Sequence, residues 1–486
     1  MTAPLLAERL AASAPVAAVR AALAGAEAET WLVGGVVRDA LLGRPLVDVD
    51  LAVAGDAEAV ARRVARALGG PCFPLSDAFG AWRSLDSERA VACDVSPLQG
   101  ETIEADLARR DFTINAVAVP LAGGEPIDPH GGLSDLEAGI LRVLGAGAYA
   151  ADPLRPLRLV RLVAELDMRP DGETERLTRA AAARLDEPSG ERVFAELRRL
   201  LVAPGALDGL ELARRLGVLA AVLPEGDALQ GVDQSRYHHL DVYGHTVEVL
   251  GEQIAMLEGD RLDELFGAAA PRLRTVLQEP LAEGLTRAQA LRLGALLHDV
   301  AKPQTRGVRE DGRVTFVGHD AVGGELVGEI LRRLRTSERL RAHVAALARH
   351  HLALGFLVHE RPLDRAEVYR YLSRCDPVAV DVTVLSCADR LATRGRKAEV
   401  AIAAHLDVAR ELIEPALDWH ADGPPRPPIR GDELAAEVGI EPGPELGRLL
   451  ARLSEAAYTG EAVTREQAVA LARRLRSDPP GSVSAR

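Results

Sequence analysis

The chain has 486 residues, more than one ordinary hydrophobic core organises, so we expect about two to four domains. Its hydrophobic content of 48% is typical of a soluble globular protein, and no stretch reaches the ~20 apolar residues of a membrane span. The net charge of −14 argues against a protein that coats nucleic acid by general electrostatics, although a local basic groove stays compatible with it. Lys302 and Lys397 are the only lysines, so contacts to phosphates and bases would use planar guanidinium groups.

The N-terminal segment and the cysteines predict a cytoplasmic location. Residues 1–29 are rich in alanine but lack the order of basic, apolar and small residues that marks a signal peptide. The four cysteines contain no Cys-x-x-Cys pair, which disfavours a zinc ribbon or a disulfide framework. We expect no membrane partner, and the sequence leaves the oligomeric state open.

Strand and helix signals divide the chain near residue 145. Before that point, the strand candidates are residues 31–33, 47–53, 90–95 and 112–119, and a helix is predicted over 56–68. Beyond it strand signals nearly vanish, and apolar residues recur at helical spacing over 154–166, 191–201 and 207–216. Turn residues at 310–312 and a proline-rich linker at 423–428 interrupt the later helices. This order predicts an α+β fold, with a mixed head followed by helices.

The most informative segment is a Gly-Gly turn followed by two spaced aspartates. Asp48 and Asp50 are two residues apart on a predicted strand, so their side chains project to the same face. Such a pair can bridge two Mg²⁺ ions roughly 3.5–4 Å apart for an in-line phosphoryl displacement. Gly34 and Gly35 leave backbone N–H groups open to phosphates, and Arg38 adds a charged fork. The combination predicts a site that holds a nucleoside triphosphate on metal and transfers its nucleotidyl group.

Two further segments carry charges that suit the same site. Asp94 follows an apolar run and is either a third carboxylate from a neighbouring strand or an exposed strand acid. Arg110 and Asp111 precede another apolar run, where a solvated charge cluster is the alternative interpretation. In the functional interpretation, Asp111 accepts a hydrogen bond from a ribose 2′-hydroxyl while the arginine clamps phosphate.

Charged residues recur every third position over 152–161. On a helix this period brings Asp152, Arg155 and Arg158 close to one face, as it would in any amphipathic helix. An aspartate acceptor beside an arginine donor complements cytosine and adenine and opposes uracil and guanine. The segment therefore predicts selection of CTP and ATP, with Arg158 and Arg161 facing phosphate.

These segments, in this order, resemble the bacterial class II CCA-adding tRNA nucleotidyltransferases and the related bacterial poly(A) polymerases. The matching segments are residues 32–43 with 48–50, 109–116, 128–136, 152–161 and 191–197. The resemblance implies a polymerase-β-like head and a helical neck that reads the incoming base. It assigns metal binding to Asp48 and Asp50, nucleotide contacts to Gly35, Arg38, Arg110, Asp152, Arg155, Arg158 and Arg161, and a place near the ribose to Asp111.

The chain departs from that family in two places. Ala151 stands where the family usually has a glutamate that braces the base-reading arginine. Residues 94–101 are compact and lack the arginine and aromatic residue often found in a loop that helps the family switch from C to A addition. CC-only or A-only activity is therefore an alternative to full CCA synthesis.

A second group of residues lies in the histidine-rich part of the chain, since eleven of the twelve histidines follow residue 237. His245, His298, Asp299 and Asp389 resemble, in spacing and order, the metal ligands of an HD domain, a helical metal-dependent phosphohydrolase fold. Imidazole and carboxylate groups on facing helices can hold a transition metal and activate water. Candidate ligands of a second ion are His319 and His350, with His351 as a further candidate.

The sequence thus predicts a nucleotidyltransferase head over 1–145, a base-reading helical neck over 146–230, an HD metal domain over 231–405 and a short helical tail over 406–486. The predicted activity is template-independent addition or repair of the tRNA 3′-terminal CCA from CTP and ATP. The predicted cofactors are Mg²⁺ and, in the HD domain, a second divalent metal (Mn, Ni, Co, Fe or Mg). The alternatives are a poly(A) polymerase, a partial enzyme, and an HD phosphohydrolase whose head is a regulatory nucleotide-binding module.

Overall fold

The computed structural model describes residues 3–76, 80–234, 239–394 and 398–477, and it separates into two compact units that divide between Val222 and Leu223. The predicted α+β fold class is confirmed. The strands of the first unit are β1 (Thr30–Val33), β2 (Asp48–Val53), β3 (Gly69–Ser76), β4 (Ala81–Asp86), β5 (Ala92–Pro97), β6 (Ala118–Pro120), β7 (Ile140–Leu141) and β8 (Arg169–Pro170). Its helices are α1 (Ala3–Ala12), α2 (Ala14–Ala22), α3 (Gly35–Leu42), α4 (Ala57–Leu68), α5 (Ile103–Leu107), α6 (Gly132–Ala138), α7 (Ala146–Ala151), α8 (Arg155–Leu166), α9 (Gly172–Ala181), α10 (Gly190–Val202), α11 (Ala206–Arg215) and α12 (Val218–Val222).

A six-stranded mixed sheet in the order β3-β4-β5-β2-β1-β6 organises the head. β2 and β5 are parallel, and the other neighbouring strands are antiparallel. Val49 and Leu51 of β2 are buried, whereas Asp48 is exposed and Asp50 is half-buried. The alternation of β2 therefore turns one face of the sheet into core and leaves carboxylates on the other.

Most of the predicted head elements are confirmed. β1, β2 and β5 occupy the predicted strands at 31–33, 47–53 and 90–95, within two residues at their ends. α4 fills the predicted helix because the Asp56 side chain accepts from the Ala59 N–H and Gly69 ends the helix in the left-handed conformation.

The predicted strand over 112–119 is largely wrong. A 3₁₀ turn covers Thr113–Asn115, and only Ala118–Pro120 forms strand β6. The Asp111 carboxylate accepts from the Phe112 N–H and from the Asn115 side chain, which offers this backbone a local alternative to the sheet ladder. Strands β3 and β4 were not predicted, since β3 is an edge strand that carries Pro71 and Pro74.

The helices that follow the head form as their apolar periodicity predicts. α8, α10 and α11 pack against one another, with Leu157, Leu197 and Leu210 each buried at the contact. Because α8 also carries Arg155, Arg158 and Arg161, this packing fixes the direction in which the predicted base-reading segment faces.

The second unit is almost entirely helical, and three of its helices, α14, α17 and α23, pack against one another as a central layer. Its elements are α13 (Pro224–Asp227), α14 (Val242–Leu257), α15 (Arg261–Phe266), α16 (Ala270–Leu277), β9 (Pro280–Ala282), β10 (Leu285–Thr286), α17 (Arg287–Leu297), α18 (Lys302–Thr305), β11 (Arg306–Val308), β12 (Val314–Phe316), α19 (His319–Arg333), α20 (Glu338–His350), α21 (Ala353–Leu357), α22 (Arg365–Cys375), α23 (Ala379–Ala392), α24 (Ala398–Asp422), α25 (Gly431–Val438), α26 (Pro444–Thr459) and α27 (Arg465–Ser477). The predicted turn at 310–312 joins the hairpin β11–β12.

The last three helices bury a small core of their own that includes Leu434, Leu453 and Ala468. The proline-rich segment 423–428 lies between α24 and α25, as predicted for a linker. Across the described ranges, the structure contains no helix with both the length and the apolar character required to cross a bilayer. The domain boundaries at 145, 230 and 405 stay predictions.

Candidate active site

Three aspartates from two adjacent strands face one cavity of the first unit. Asp50 and Asp94 are direct partners in the parallel β2–β5 pair, and Asp48 precedes Asp50 by one strand repeat. All three line a cavity of about 650 Å³, together with Gly34 and Gly35. The structure therefore brings together the predicted carboxylate pair, the candidate third carboxylate and the glycine turn.

The glycine turn lies close to the carboxylates, and its first glycine has a backbone conformation that other residues rarely adopt. Gly34 has φ +68°, and a Cβ there would lie 3.1 Å from Nη1 of Arg110 and 3.5 Å from Oδ2 of Asp50. Gly34 directly precedes α3, so the helix N-terminus with its free N–H groups opens beside the aspartates. A phosphate between them would meet backbone donors from one side.

Two predicted nucleotide-binding arginines line the same cavity. The Arg38 guanidinium is buried and bonds to the Asp39 carboxylate at 2.9 and 3.0 Å and to Asn115 Oδ1 at 2.8 Å. Arg110 pairs with Asp106 at 3.0 Å. These bonds fix the direction of both guanidinium groups before any ligand enters.

The electrostatics of the cavity favour a cation beside Asp50. Burial, followed by the nearby charge of Asp94, raises the pKa of Asp50 to about 6, while Arg110 and Arg38 act in the opposite direction. Clustered carboxylates that repel one another in this way are a donor set of hard oxygen atoms, which suits Mg²⁺. The residues present therefore fit the divalent metal that the sequence predicts.

A chain of ion pairs connects Asp111 to the arginines of α8. Arg158 contacts Asp111 at 3.1 Å and Glu196 at 3.1 Å, and Glu196 in turn pairs with Arg161. Burial favours a raised pKa for Asp111, but Arg158 and the Asn115 hydrogen bond outweigh it and lower the pKa to about 2. Asp111 is thus a fixed anion, and Arg158 and Arg161 are held in place by acids as well as facing the cavity.

The side chains of Arg155 and Asp152 are bonded to other groups. The Arg155 guanidinium donates to the backbone carbonyls of Arg109, Arg110 and Ala148 at 2.9–3.0 Å. Asp152 is instead paired with Arg192 at 3.0 Å and is not among the residues that line the cavity. The role of Asp152 and Arg155 in base reading stays a prediction. The donor that lies next to the Asp152 carboxylate is Arg192.

Sequence reasoning did not predict Glu196, Arg83 and Arg199 among the charged residues of the cavity. Glu196 lies within a segment that carried the family resemblance, so the sequence did contain a signal from which Glu196 could have been predicted as a site residue. Arg83 and Arg199 also line the cavity, but they come from an unpredicted strand and an exposed helix face, where single arginines carry no pattern.

The second unit gathers the predicted HD residues around Asp299. His245 Nε2 lies 3.0 Å from Asp389 Oδ1 and 3.8 Å from Asp299 Oδ2, and His298 Nε2 lies 3.2 Å from the same Asp299 oxygen. Nε2 of His298 is buried without hydrogen-bond geometry to any described group, and Oδ2 of Asp299 is paired with Lys302 Nζ at 2.6 Å. Buried imidazole and carboxylate groups that converge in this way fit a transition-metal ion.

The opposite oxygen of Asp299 faces two more histidines. Its Oδ1 lies 3.3 Å from His319 Nε2 and 3.7 Å from His351 Nε2. In His298, His319 and His351, Nδ1 lies 2.7–2.9 Å from a backbone carbonyl, which directs each Nε2 to the cluster. Burial above all lowers the pKa of His351 to about 4, so its ring is a neutral candidate ligand.

His350 is not part of the clusters that the described residues form around Asp299, and its role as a ligand stays a prediction. Consecutive residues near a helix end project about 100° apart, so the neighbours His350 and His351 face different surroundings. His351 joins the cluster with Asp299 and His319, whereas His350 lies near Arg374 and Arg349, which together with burial lower its pKa. His351, the further candidate for the second ion, is the neighbour whose ring lies in this cluster.

Comparison with protein families agrees with this arrangement. Residues 30–90 and 81–142 match the poly A polymerase head domain, residues 167–229 match the probable RNA and SrmB-binding site of polymerase A, and residues 242–394 match the HD domain. The fold and the cavity therefore define a metal-dependent nucleotidyltransferase that also carries an HD domain.

Similar proteins narrow the family. The chain is 37% identical to the A-adding tRNA nucleotidyltransferase of Deinococcus radiodurans, over 93% of this chain and 96% of that protein. It is 36% identical to the CC-adding tRNA nucleotidyltransferase of Thermus thermophilus, over 90% of this chain and 92% of that protein. The chain belongs to the tRNA nucleotidyltransferase family, and the resemblance predicted from the sequence is confirmed.

Solved structures share the fold over nearly the whole chain. A CCA-adding enzyme in complex with CTP has a TM-score of 0.62 and 22% identity, with 98% of this chain and 99% of that chain covered. The Thermotoga maritima CCA-adding enzyme in complex with tRNA has a TM-score of 0.58 and 21% identity, with 98% of each chain covered.

Proposed function

We propose that this protein adds nucleotides from CTP and ATP to the 3′ end of tRNA without a nucleic-acid template. The observation that carries the proposal is the cavity in which Asp48, Asp50 and Asp94 meet the Gly34-Gly35 turn. Carboxylates opposite a helix N-terminus provide, in one place, groups that prefer a metal and groups that prefer a phosphate. The names and the 36–37% identity of the two relatives support tRNA as the acceptor.

The predicted site residues of the cavity divide the work of this reaction. Asp48 and Asp50 would hold Mg²⁺, which when bound would lower the pKa of the attacking 3′-hydroxyl and neutralise charge on the triphosphate. The N–H groups at Gly34 and Gly35, with Arg38 and Arg110, bind phosphate oxygens. The fixed anion Asp111 accepts from the ribose 2′-hydroxyl, which favours ribonucleotides.

Base selection depends on residues of the neck. Asp152 accepts from the exocyclic amino group that cytosine and adenine share, and a guanidinium donates to the adjacent ring nitrogen. Arg192 already lies 3.0 Å from Asp152, whereas Arg155 is bonded to backbone carbonyls. Substitution of Asp152 by alanine should raise incorporation of UTP and GTP relative to CTP and ATP, while equal exclusion in the variant and the parent would reject this role.

The central experiment incubates the protein with tRNA that lacks its 3′ end, Mg²⁺ and one triphosphate at a time. Asp48→Ala should abolish transfer, because one carboxylate of the pair is lost. Glu58→Gln is the matched control, since Glu58 is a half-exposed acid of the head paired with Arg62 outside the cavity. Transfer that survives in Asp48→Ala would refute the proposed site.

A narrower activity, A-only or CC-only addition, is the second candidate. It is favoured by the names of the two relatives, which divide the CCA end between an A-adding and a CC-adding protein at nearly equal identity. Transcripts that end before the first C, after one C and after CC distinguish the three outcomes. A CC-adding protein extends only the first two with CTP, an A-adding protein extends only the third with ATP, and a full CCA enzyme extends all three.

A poly(A) polymerase would instead extend any RNA by many adenosines. The acidic net charge of −14 weighs against it, because indiscriminate RNA binding relies on general electrostatic attraction. Product lengths on a sequencing gel decide the question, since a CCA or partial enzyme stops at a defined end.

For the HD unit we propose hydrolysis of phosphate esters or 2′,3′-cyclic phosphates at RNA ends. Asp299 lies between two histidine pairs, and these carboxylate and imidazole groups would hold the divalent metal. Metal-activated water is the expected nucleophile. His298→Ala should abolish hydrolysis of a 2′,3′-cyclic nucleotide in the presence of Mn²⁺, Ni²⁺, Co²⁺, Fe²⁺ or Mg²⁺ and leave transfer intact. Hydrolysis without any transfer by the parent protein would instead identify an HD phosphohydrolase with a regulatory head.

A further inference from the structure

Asp50, Asp94 and Arg83 form a row across three neighbouring strands of the head. Asp50 and Asp94 are direct partners in the parallel β2–β5 pair, and Arg83 and Asp94 are direct partners in the antiparallel β4–β5 pair. Directly paired residues share a face of the sheet, so the three side chains project to the same side. All three line the cavity of the proposed active site. The register of the strands therefore places a cation next to the third carboxylate.

Arg83 engages both oxygens of that carboxylate. Its Nε lies 2.7 Å from Asp94 Oδ1 and its Nη2 lies 2.6 Å from Asp94 Oδ2. Two parallel charge-assisted bonds of this kind are stronger and more directional than a single contact. Within the described residues, neither Asp48 nor Asp50 has a hydrogen bond or ion pair to its carboxylate. The three acids are thus unequal, with two open carboxylates and one that is occupied.

We propose that Arg83 is a positioning residue that withholds Asp94 from metal in the nucleotide-free protein, which makes stable metal binding depend on the nucleotide. The inference rests on the proposed function, because it concerns the metal of the same site. Mg²⁺ and similar ions demand about six oxygen ligands and are usually held by one or two carboxylates plus substrate phosphates. With Asp94 occupied, the protein offers two carboxylates, and the remaining ligands come from the triphosphate and water.

The positive charge of Arg83 acts in the same direction. The guanidinium lies beside the site in which a divalent cation would bind, and about a third of its side chain is exposed, so solvent screens it only in part. Its removal frees both oxygens of Asp94 and takes away a repulsive charge. Nucleotide-free protein should then bind a divalent cation more tightly, with the gain dependent on Asp94.

The test measures Mn²⁺ binding to the full-length protein without nucleotide, by electron paramagnetic resonance of free Mn²⁺. Arg83→Gln should tighten Mn²⁺ binding about tenfold, and the gain should disappear in Arg83→Gln/Asp94→Asn. Mn²⁺ held by the HD cluster is common to all variants and cancels in the comparison. The control Arg176→Gln removes a bidentate pair with Glu173 on an exposed helix, away from the cavity, and should leave binding unchanged.

Two results would overturn the inference. Unchanged Mn²⁺ affinity in Arg83→Gln means that Asp94 is not withheld, and a gain that persists without Asp94 means that only the charge matters. If Arg83→Gln does not fold, Arg83→Lys tests the bidentate contact alone, because lysine keeps the charge but cannot bond both oxygens in one plane, and a smaller gain that depends on Asp94 is then expected. Failure here is distinguishable from failure of the proposed function, since the loss of transfer in Asp48→Ala is measured independently.

Discussion

The ion pair between Asp111 and Arg158 should contribute measurably to the stability of the first unit. Asp111 is 6% exposed, and Arg158 is the charge that does most to lower its pKa from an ordinary 3.8 to about 2. Arg158→Gln keeps much of the side-chain volume but leaves the buried carboxylate with Asn115 and Arg155 as its remaining partners. Glu196 loses one partner and keeps Arg161.

The magnitude follows from the linkage between pKa and stability. A shift from 3.8 to about 2 corresponds to about 2.5 kcal/mol at roughly 1.4 kcal/mol per pH unit. Because Asn115 and Arg155 share in the effect, the loss on Arg158→Gln should be about 1–2 kcal/mol. The pKa is lowered in the folded state, so this stability is fully present above about pH 4 and is lost as the pH falls towards 2.

Tryptophan fluorescence during urea unfolding at pH 7 can isolate the first unit. Trp31 and Trp82 lie in the first unit, and Trp419 is the only other tryptophan. Both the parent and the variant are therefore measured in a Trp419→Phe background. The control is Arg176→Gln, whose exposed ion pair should contribute nothing measurable. A loss below about 0.5 kcal/mol, or an equal loss when Asp111→Asn is already present, would refute the coupling.

Three further predictions concern the two metal sites. Gly34→Ala should lower transfer activity and destabilise the head by about 1–3 kcal/mol, because φ is +68° and the new Cβ would lie close to Arg110. Unchanged transfer kinetics and an unchanged free energy of unfolding would contradict this prediction. In a His298→Ala background, the affinity for Mn²⁺ should fall by up to about tenfold per pH unit below pH 6, because a proton on Asp50 competes with the metal. Burial and the charge of Asp94 raise the pKa of Asp50 to about 6. A flat affinity profile from pH 5 to 7 would exclude this competition. His351→Ala should reduce the metal content of the HD cluster by about 10-fold or more, measured by atomic emission after dialysis. Replacement of the neighbouring residue, His350→Ala, should leave the metal content unchanged. Equal losses in the two variants would mean that the cluster is placed wrongly.

Local signals were sufficient for the elements that depend on nearby residues. α4 begins at an aspartate cap and ends at a glycine, and β2 alternates acidic and apolar residues, so both could be predicted within a residue or two. Over 112–119 the apolar run predicted a strand, but hydrogen bonds from Asp111 turn the backbone instead. β3 and β4 gave no usable pattern, because they depend on long-range pairing at the edge of the sheet, where β4 pairs with β5 and β3 pairs with β4.

The sequence by itself determined which chemical groups this protein has and in which order: the Gly-Gly turn, the spaced aspartates and the histidines with an adjacent aspartate. Those features are local, since spacing along a strand or helix fixes which side chains share a face. Tertiary structure alone decided the partners, because they come from different elements. Strand register set Arg83 against Asp94, helix packing set Asp152 against Arg192, and the packing of separate helices brought His351 beside Asp299.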